Sequence, residues 1–317
     1  MTIIESVPNF SEGRRAEVIA AIADAVRRSG PARILDLSSD ADHNRSVLTL
    51  AGDTGGIRAA ILALVTACVE HIDLSVHRGR HPRMGAVDVI PLVPVRGVSL
   101  QDCARLAAAI GEEIGRRFQI PVYLYEAAAT ADHRRDLAAI RKGEFEGFPA
   151  KIRDPLWKPD FGPDRVHPTA GCVAVGAREF LIAYNINLAT GDVEVARRIA
   201  RAIRHSSGGL RYVKAMGVML EARALAQVSI NMTDFRSTPL HRVFEMVRSE
   251  AARYGTTIVG SEIVGLVPEE ALLQAADFYL RLEGFEPGRV LERRLEESAL
   301  PAVSPSVRPS PRDGESS

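Results

Sequence analysis

One order of hydrophobic periods occurs twice in this chain, and it limits the fold more than any other feature. From about Arg178 a β-type run covers Phe180–Leu188, and Ala196, Ile199 and Ile203 recur at helical spacing within Val195–Ile203. Two β-type runs follow near Arg211–Met216 and Ala226–Met232. The next helix has Thr238 as its expected cap, Pro239 first, Leu240, Val243, Phe244 and Val247 on one face, and Gly255 past its end. Thr256–Gly260 closes the series as a strand, and Pro268 opens a helix on Leu272, Ala275, Ala276 and Tyr279. That order is β-α-β-β-α-β, the split-βαβ or ferredoxin-like signature.

The first half repeats it. Thr2–Pro8 is a strand, and Arg14–Arg28 a helix on Val18, Ile19, Ile22 and Val26, with Ser11 as its expected cap. Ala32–Leu37 and Arg45–Leu50 are strands joined by a loop, Ser38–Asn44, whose side chains bend the backbone through their own hydrogen bonds. A helix over Thr54–Ile72 precedes the strand Gly85–Val95. Extra elements are then added: a helix opened by Ser99 and Asp102, and strands at Pro121–Tyr125 and Gly171–Val175. Between these, Ala127–Pro168 is rich in glycine and proline and reads as a surface excursion or lid. The fold class is therefore α/β (α+β), two ferredoxin-like subdomains with helix-covered sheets, over residues 1–177 and 178–300. Residues 301–317 are proline, serine and charge, with too little apolar surface to order themselves.

Lys plus Arg and Asp plus Glu each number 40, so the formal net charge is +0. A nucleic-acid or membrane-surface protein would show a basic excess. Local positive charge is then expected to serve a small anionic ligand. The N-terminus lacks the pattern of a signal peptide, and the apolar stretches are too short to span a membrane. Three widely spaced cysteines, Cys68, Cys103 and Cys172, argue against a disulfide framework or a zinc cluster; the first two fall on helical stripes as core residues. From these features the chain is expected to act in the cytoplasm.

The densest chemistry lies at His77-Arg78-Gly79-Arg80-His81-Pro82-Arg83, a cationic loop feeding an apolar strand. Arginine forks suit carboxylates or phosphates, and histidine moves protons near neutral pH. His77 and His81 are four apart, as zinc ligands on a helix would be, but Gly79 and Pro82 interrupt a helix and the arginines oppose a cation. There is no glycine fingerprint for a dinucleotide, no P-loop and no serine-hydrolase elbow. What remains is a histidine acid/base beside anion clamps, suited to transferring a small group between anionic substrates.

Several motifs, in order and in register from about residue 3 to 298, resemble the formiminotransferase family (glutamate formimidoyltransferases). They are Val7-Pro8-Asn9-Phe10-Ser11-Glu12-Gly13, Asn44-Arg45, His81-Pro82-Arg83-Met84-Gly85-Ala86 and Pro121-Val122-Tyr123-Leu124-Tyr125. Asp160-Phe161-Gly162-Pro163, Asn185-Ile186-Asn187-Leu188 and Ala226-Gln227-Val228-Ser229 complete the set. The resemblance implies transfer of the formimino group from N-formimidoyl-L-glutamate to tetrahydrofolate, giving 5-formimidoyltetrahydrofolate and glutamate, in histidine degradation. It implies stacked sheets with a substrate cleft between two subdomains, a homodimer, tetrahydrofolate as co-substrate and no metal. By motif, His81 takes the catalytic position. Arg83 and Arg45 would hold carboxylates or orient it, and Asn44, Asn9, Asn187 and Gln227 are cleft candidates. The folate segment would be Gly162, Pro163, Asp164, Arg165, Val166, His167, Pro168, Thr169, Ala170 and Gly171. In mammals the transferase is fused to a cyclodeaminase, and that second activity is not expected here. One departure is Ser38, where the mammalian pattern carries an acid; Asp40 or Asp42 would have to supply that charge. It leaves open an N-formylglutamate or 5-formyltetrahydrofolate formyltransferase, and, from another class, a folate-binding protein without turnover.

Overall fold

The computed structural model describes residues 2–79 and 82–299. His81 and the tail 301–317 lie outside the described residues. The first half contains β1 (Ile3–Ser6), β2 (Asn9–Phe10), α1 (Ala16–Arg27), β3 (Arg33–Asp40), β4 (Arg45–Gly52), α2 (Thr54–His71) and β5 (Val87–Arg96). It continues with α3 (Leu100–Phe118), β6 (Val122–Glu126), α4 (Leu137–Arg141), α5 (Glu144–Lys151) and β7 (Val173–Ala177). The second half contains β8 (Ile182–Leu188), α6 (Val193–Ile203), β9 (Val213–Leu220), β10 (Leu225–Met232), α7 (Leu240–Arg253), β11 (Ile258–Val264), α8 (Glu269–Leu280) and α9 (Leu291–Ala299).

The second sheet runs β11-β8-β10-β9, all neighbours antiparallel. In the first sheet β5, β1, β4 and β3 are successive antiparallel neighbours in the same relative order. β1 and β2 are two pieces of one strand interrupted at Val7-Pro8, since both pair with β4 and β5. β7 and β6 then extend the sheet in parallel from β5, with α3 as the crossover. The ferredoxin-like repeat thus has a two-strand addition in its first copy.

Strand alternation divides each sheet into two faces. Leu48, Leu50, Ile90 and Leu92 pack with Ile22, Ile57, Ile61 and Ile110 of α1, α2 and α3. Ile182, Tyr184, Ile186 and Leu188 likewise pack with Ile199, Ile203, Val243 and Val247 of α6 and α7. The helix starts are specified locally. Asp53 accepts from the Gly56 amide at 2.7 Å, and Ser99 with Asp102 forms a reciprocal capping box on α3.

Two expected caps are overturned. Ser11 is buried and donates to the Gly85 carbonyl at 2.8 Å, while α1 starts after Arg15 without a side-chain cap. Glu12 takes over, its Oε1 accepting from the amides of Arg14 and Arg15 at 2.8 and 2.9 Å. Thr238 donates to the Arg211 carbonyl at 2.6 Å, and Pro239 precedes α7 with no side-chain cap. In both cases a partner distant in sequence took the hydroxyl.

The excursion over 127–168 is not a loose lid. Ile140 and Phe148 of α4 and α5 pack with Tyr123, Tyr125, Met84, Val89 and Cys172, a core of its own on the other face of the first sheet. Several of its sparse apolar residues come together around the Tyr123 ring, edge-on to Phe148 at 5.6 Å, while Phe145 and Phe161 pack against the main core. Helix α8 departs in the opposite sense: Leu272 and Tyr279, expected on a buried stripe, are 46% and 48% exposed, and Ala271 is its buried residue.

Candidate active site

The two sheets enclose a cleft of ≈ 500 Å³. Its floor is the first-sheet face that the excursion leaves open: Asn9, Arg45, Val47, Thr49, Val89 and Pro91, with Asp36, Ser38 and Asp40 of β3. Register makes this one surface, because Val47 lies between Asn9 and Ser38, and Arg45 stands opposite Asp40. Ala183, Asn231 and Val264 of the second sheet form the roof, and Arg141 of α4 and Arg178 close the sides.

Arg45 and Arg141 share one electrical environment. Burial lowers the Arg45 pKa, the neighbouring Arg141 charge lowers it further, and Asp88 and Asp40 oppose this. Asp88 is 1% exposed and ion-paired to Arg141, and burial raises its pKa against the pull of that arginine. It sits at a bulge where the β2–β5 ladder passes from Val89 to Val87, which turns its side chain away from the regular alternation. Its other oxygen accepts from the Met84 amide at 2.8 Å. Asp88 therefore ties the end of the cationic loop to a cleft arginine. Arg141 is held in turn by Lys151, whose Nζ donates to the carbonyls of Ala139, Ile140 and Lys142 around the end of α4.

The cationic loop is docked on the β3–β4 turn. Asn44, at φ 50°, accepts from the Gly13 amide at 2.9 Å and donates to the Arg78 carbonyl at 2.9 Å. Its own carbonyl accepts from His77 Nε2 at 3.0 Å, and His77 Nδ1 accepts from Arg83 Nε at 3.2 Å. That arrangement requires the neutral Nε2–H tautomer, and burial lowers the His77 pKa accordingly. Gly79 is demanded here, since a Cβ would stand 2.3 Å from the His43 carbonyl. Of the loop's histidines, His77 is structural; His81, the expected catalytic residue, lies outside the described residues.

Arg83 is 6% exposed, and each of its three guanidinium nitrogens donates to a side chain of the protein. Glu146 accepts from both terminal nitrogens at 2.6 and 2.9 Å, and Glu144 from one at 3.2 Å. Of the two arginines expected to hold carboxylates or orient the histidine, Arg45 lines the cleft and Arg83 ties the loop to α5. Asn9 lines the cleft but donates to the Val7 carbonyl. Asn187 and Gln227 share the second sheet's cleft-side face but stand further along the strands; Gln227 donates to Asn187 at 2.8 Å and to Glu262 at 3.1 Å.

Residues 162–171 border the cationic loop rather than the large cleft. Asp160 anchors the segment's start, accepting from the Leu124 amide at 2.8 Å and pairing with buried Arg134 at 2.8 Å. Gly162, at φ 82°, sits so close to α3 that a Cβ on Gly115 would be 2.6 Å from its nitrogen. At the other end His167 Nδ1 accepts from the Ala170 amide, and Ala170 and Cys172 bond to Ala86 and Met84. Ser38 lines the cleft with Asp36 and Asp40, so of the two acids considered as substitutes Asp40 is the one present at the wall. Sequence reasoning missed Arg141, Asp88 and Lys151: an arginine ending a five-residue helix and an acid within an apolar strand carry no local signal of a shared site. Among the described residues no group of three His, Cys, Asp or Glu side chains could hold a metal. No helix of these residues is long and apolar enough to cross a membrane.

Comparison with known proteins gives this geometry a family. The formiminotransferase N-terminal subdomain profile matches residues 3–178, and the formiminotransferase domain profile matches residues 183–290. A glutamate formimidoyltransferase of Streptococcus pyogenes serotype M1 is 47% identical over 294 residues, covering 92% of this chain and 98% of that protein. One from Thermoplasma acidophilum is 48% identical over 301 residues, covering 94% and 99%. The formimidoyltransferase-cyclodeaminase of Gallus gallus is 44% identical over 287 residues, and the match spans 53% of its length. With both halves matched in order and the inter-sheet cleft formed between them, the chain belongs to the formiminotransferase family.

Proposed function

We propose that this enzyme is a glutamate formimidoyltransferase, moving the formimino group from N-formimidoyl-L-glutamate to tetrahydrofolate. The products are 5-formimidoyltetrahydrofolate and L-glutamate, a step of histidine degradation. The observation that carries this reading is identity of 47–48% with two glutamate formimidoyltransferases over 98–99% of their lengths.

The pteridine N5 attacks the amidine carbon, a tetrahedral adduct forms, N5 gives up its proton, and the glutamate nitrogen takes one as its bond to carbon breaks. His81 is the proposed proton donor, on the loop that Asn44, Arg83 and Asp88 hold at both ends. Arg45 is the proposed carboxylate ligand. Gly162–Gly171 is the proposed folate segment, supported by its contact with Met84–Ala86. Asn9, Asn187 and Gln227 are proposed to orient substrate from the two sheets. We read the chain as subdomains over 1–177 and 178–300, acting in the cytoplasm as a homodimer. Exposed Phe278 and Leu280 on α8 and Leu291 on α9 support the dimer.

Ser38 at the cleft wall favours a second donor for comparison, N-formylglutamate. Purified protein would be given tetrahydrofolate with each donor, and His81→Ala run alongside. Formimidoyl turnover that falls by about a hundred-fold or more in His81→Ala, with folate binding retained, is the expected result. Turnover only with the formyl donor would change the reaction, and no turnover with either would favour a binding protein.

A further inference from the structure

We propose that Arg141 forms with Arg45 a two-guanidinium carboxylate fork in the inter-sheet cleft, and that this fork binds one carboxylate of the donor. The identity of the ligand rests on the transferase reading; the anion fork does not.

Arg45 opens β4 on the floor and Arg141 ends α4 at the side of the same cleft. In both, the Nε–H is buried and has no hydrogen-bond partner among the described residues. A buried donor left unmade is costly, and the two orphaned donors belong to two arginines that line one cavity. Like charges held close together add to that cost.

The other charged groups do not offset it. Asp88 lies under the fork and is spent on Arg141 and the Met84 amide. Asp40 accepts from the His43 amide at 2.8 Å and pairs with its ring at 2.9 Å. On the same wall, Arg178 interacts with Glu5, whose pKa burial raises and this arginine lowers. Asp36 also lines the cleft, at the β3 position paired with Thr49, further along the strand from Arg45. Two guanidinium groups therefore share one fully buried carboxylate. A planar oxyanion accepting from both forks completes the set, and guanidinium matches carboxylate better than a spherical halide does. The donor's glutamate moiety carries two carboxylates, one for this fork.

The test is calorimetric titration of the full chain with glutarate, a dicarboxylate that cannot react, using wild type and Arg141→Lys. Lysine keeps a cation beside Asp88, so folding, checked by thermal melting, is retained while the planar fork is lost. Glutarate should bind wild type and bind Arg141→Lys about tenfold more weakly, the worth of one charge-assisted bidentate contact. The KM for formimidoylglutamate should rise by a similar factor, and the KM for tetrahydrofolate by less than about twofold. Unchanged glutarate affinity, equal rises in both KM values, or no glutarate binding by wild type would each overturn the fork. Arg141-dependent glutarate binding without turnover of the formimidoyl donor would support the fork and remove the transferase reading.

Discussion

Asp88→Asn is the most informative single change, because one buried carboxylate serves both the cationic loop and the cleft. Its two oxygens accept from the Met84 amide and from Arg141. An asparagine keeps one acceptor and turns an NH2 group towards the other donor. Breaking a fully buried pair costs about 3–5 kcal/mol, and a charged hydrogen bond is worth about 1.5–3 kcal/mol. Two features reduce the first figure: the Arg141 side chain is 17% exposed beside an open cleft, and burial already disfavours the Asp88 charge. A net loss of about 2 kcal/mol follows, or a Tm lower by roughly 3 °C for a chain of this size. The assay is a double-mutant cycle of Asp88→Asn and Arg141→Met by thermal and urea unfolding, with kcat in parallel. Coupling of about 2 kcal/mol is expected, with kcat reduced because the loop end at Met84 and the cleft arginine no longer share one carboxylate. Coupling below about 0.5 kcal/mol, or an unchanged kcat at a lowered Tm, would refute the link between loop and cleft.

Asn44→Gly keeps the left-handed backbone but deletes the bonds to Gly13 and Arg78; about 2 kcal/mol of stability should go, with a fall in kcat, and urea unfolding would check it. Glu12→Gln tests the substitute cap of α1. Burial raises the Glu12 pKa, but the amides of Arg15 and Arg14 and the Arg15 guanidinium outweigh it and leave it lowered. The carboxylate therefore stabilises the fold above the ordinary glutamate range, and that contribution fades as pH falls through the lowered pKa. Between about pH 5 and 3 the wild type should lose more stability than Glu12→Gln; parallel Tm–pH curves would contradict the assignment.

The two copies of β-α-β-β-α-β were legible in the sequence because each element has an apolar stripe whose period belongs to it alone, as in Val18, Ile22 and Val26 or Ile182, Tyr184 and Ile186. Capping at Ser99 with Asp102 was legible because it too is local, and the chemistry of the loop at His77–Arg83 was visible as a concentration of donors. Tertiary structure decided the rest. Ser11 and Thr238 carry capping chemistry, but carbonyls at Gly85 and Arg211 were nearer in the folded chain. The excursion over 127–168 has no period, yet it gained a core once the other face of β5, β6 and β7 existed to pack against. Arg83 and Arg45 are alike in sequence; one met Glu146 of α5 and became a clamp, and the other met an open cleft. Arg141 entered that cleft because α4 ends there and Lys151 holds its last carbonyls. Periodicity reports which face of an element is buried. The partner of a polar side chain depends on residues brought close by the whole fold, and no local pattern encodes that distance.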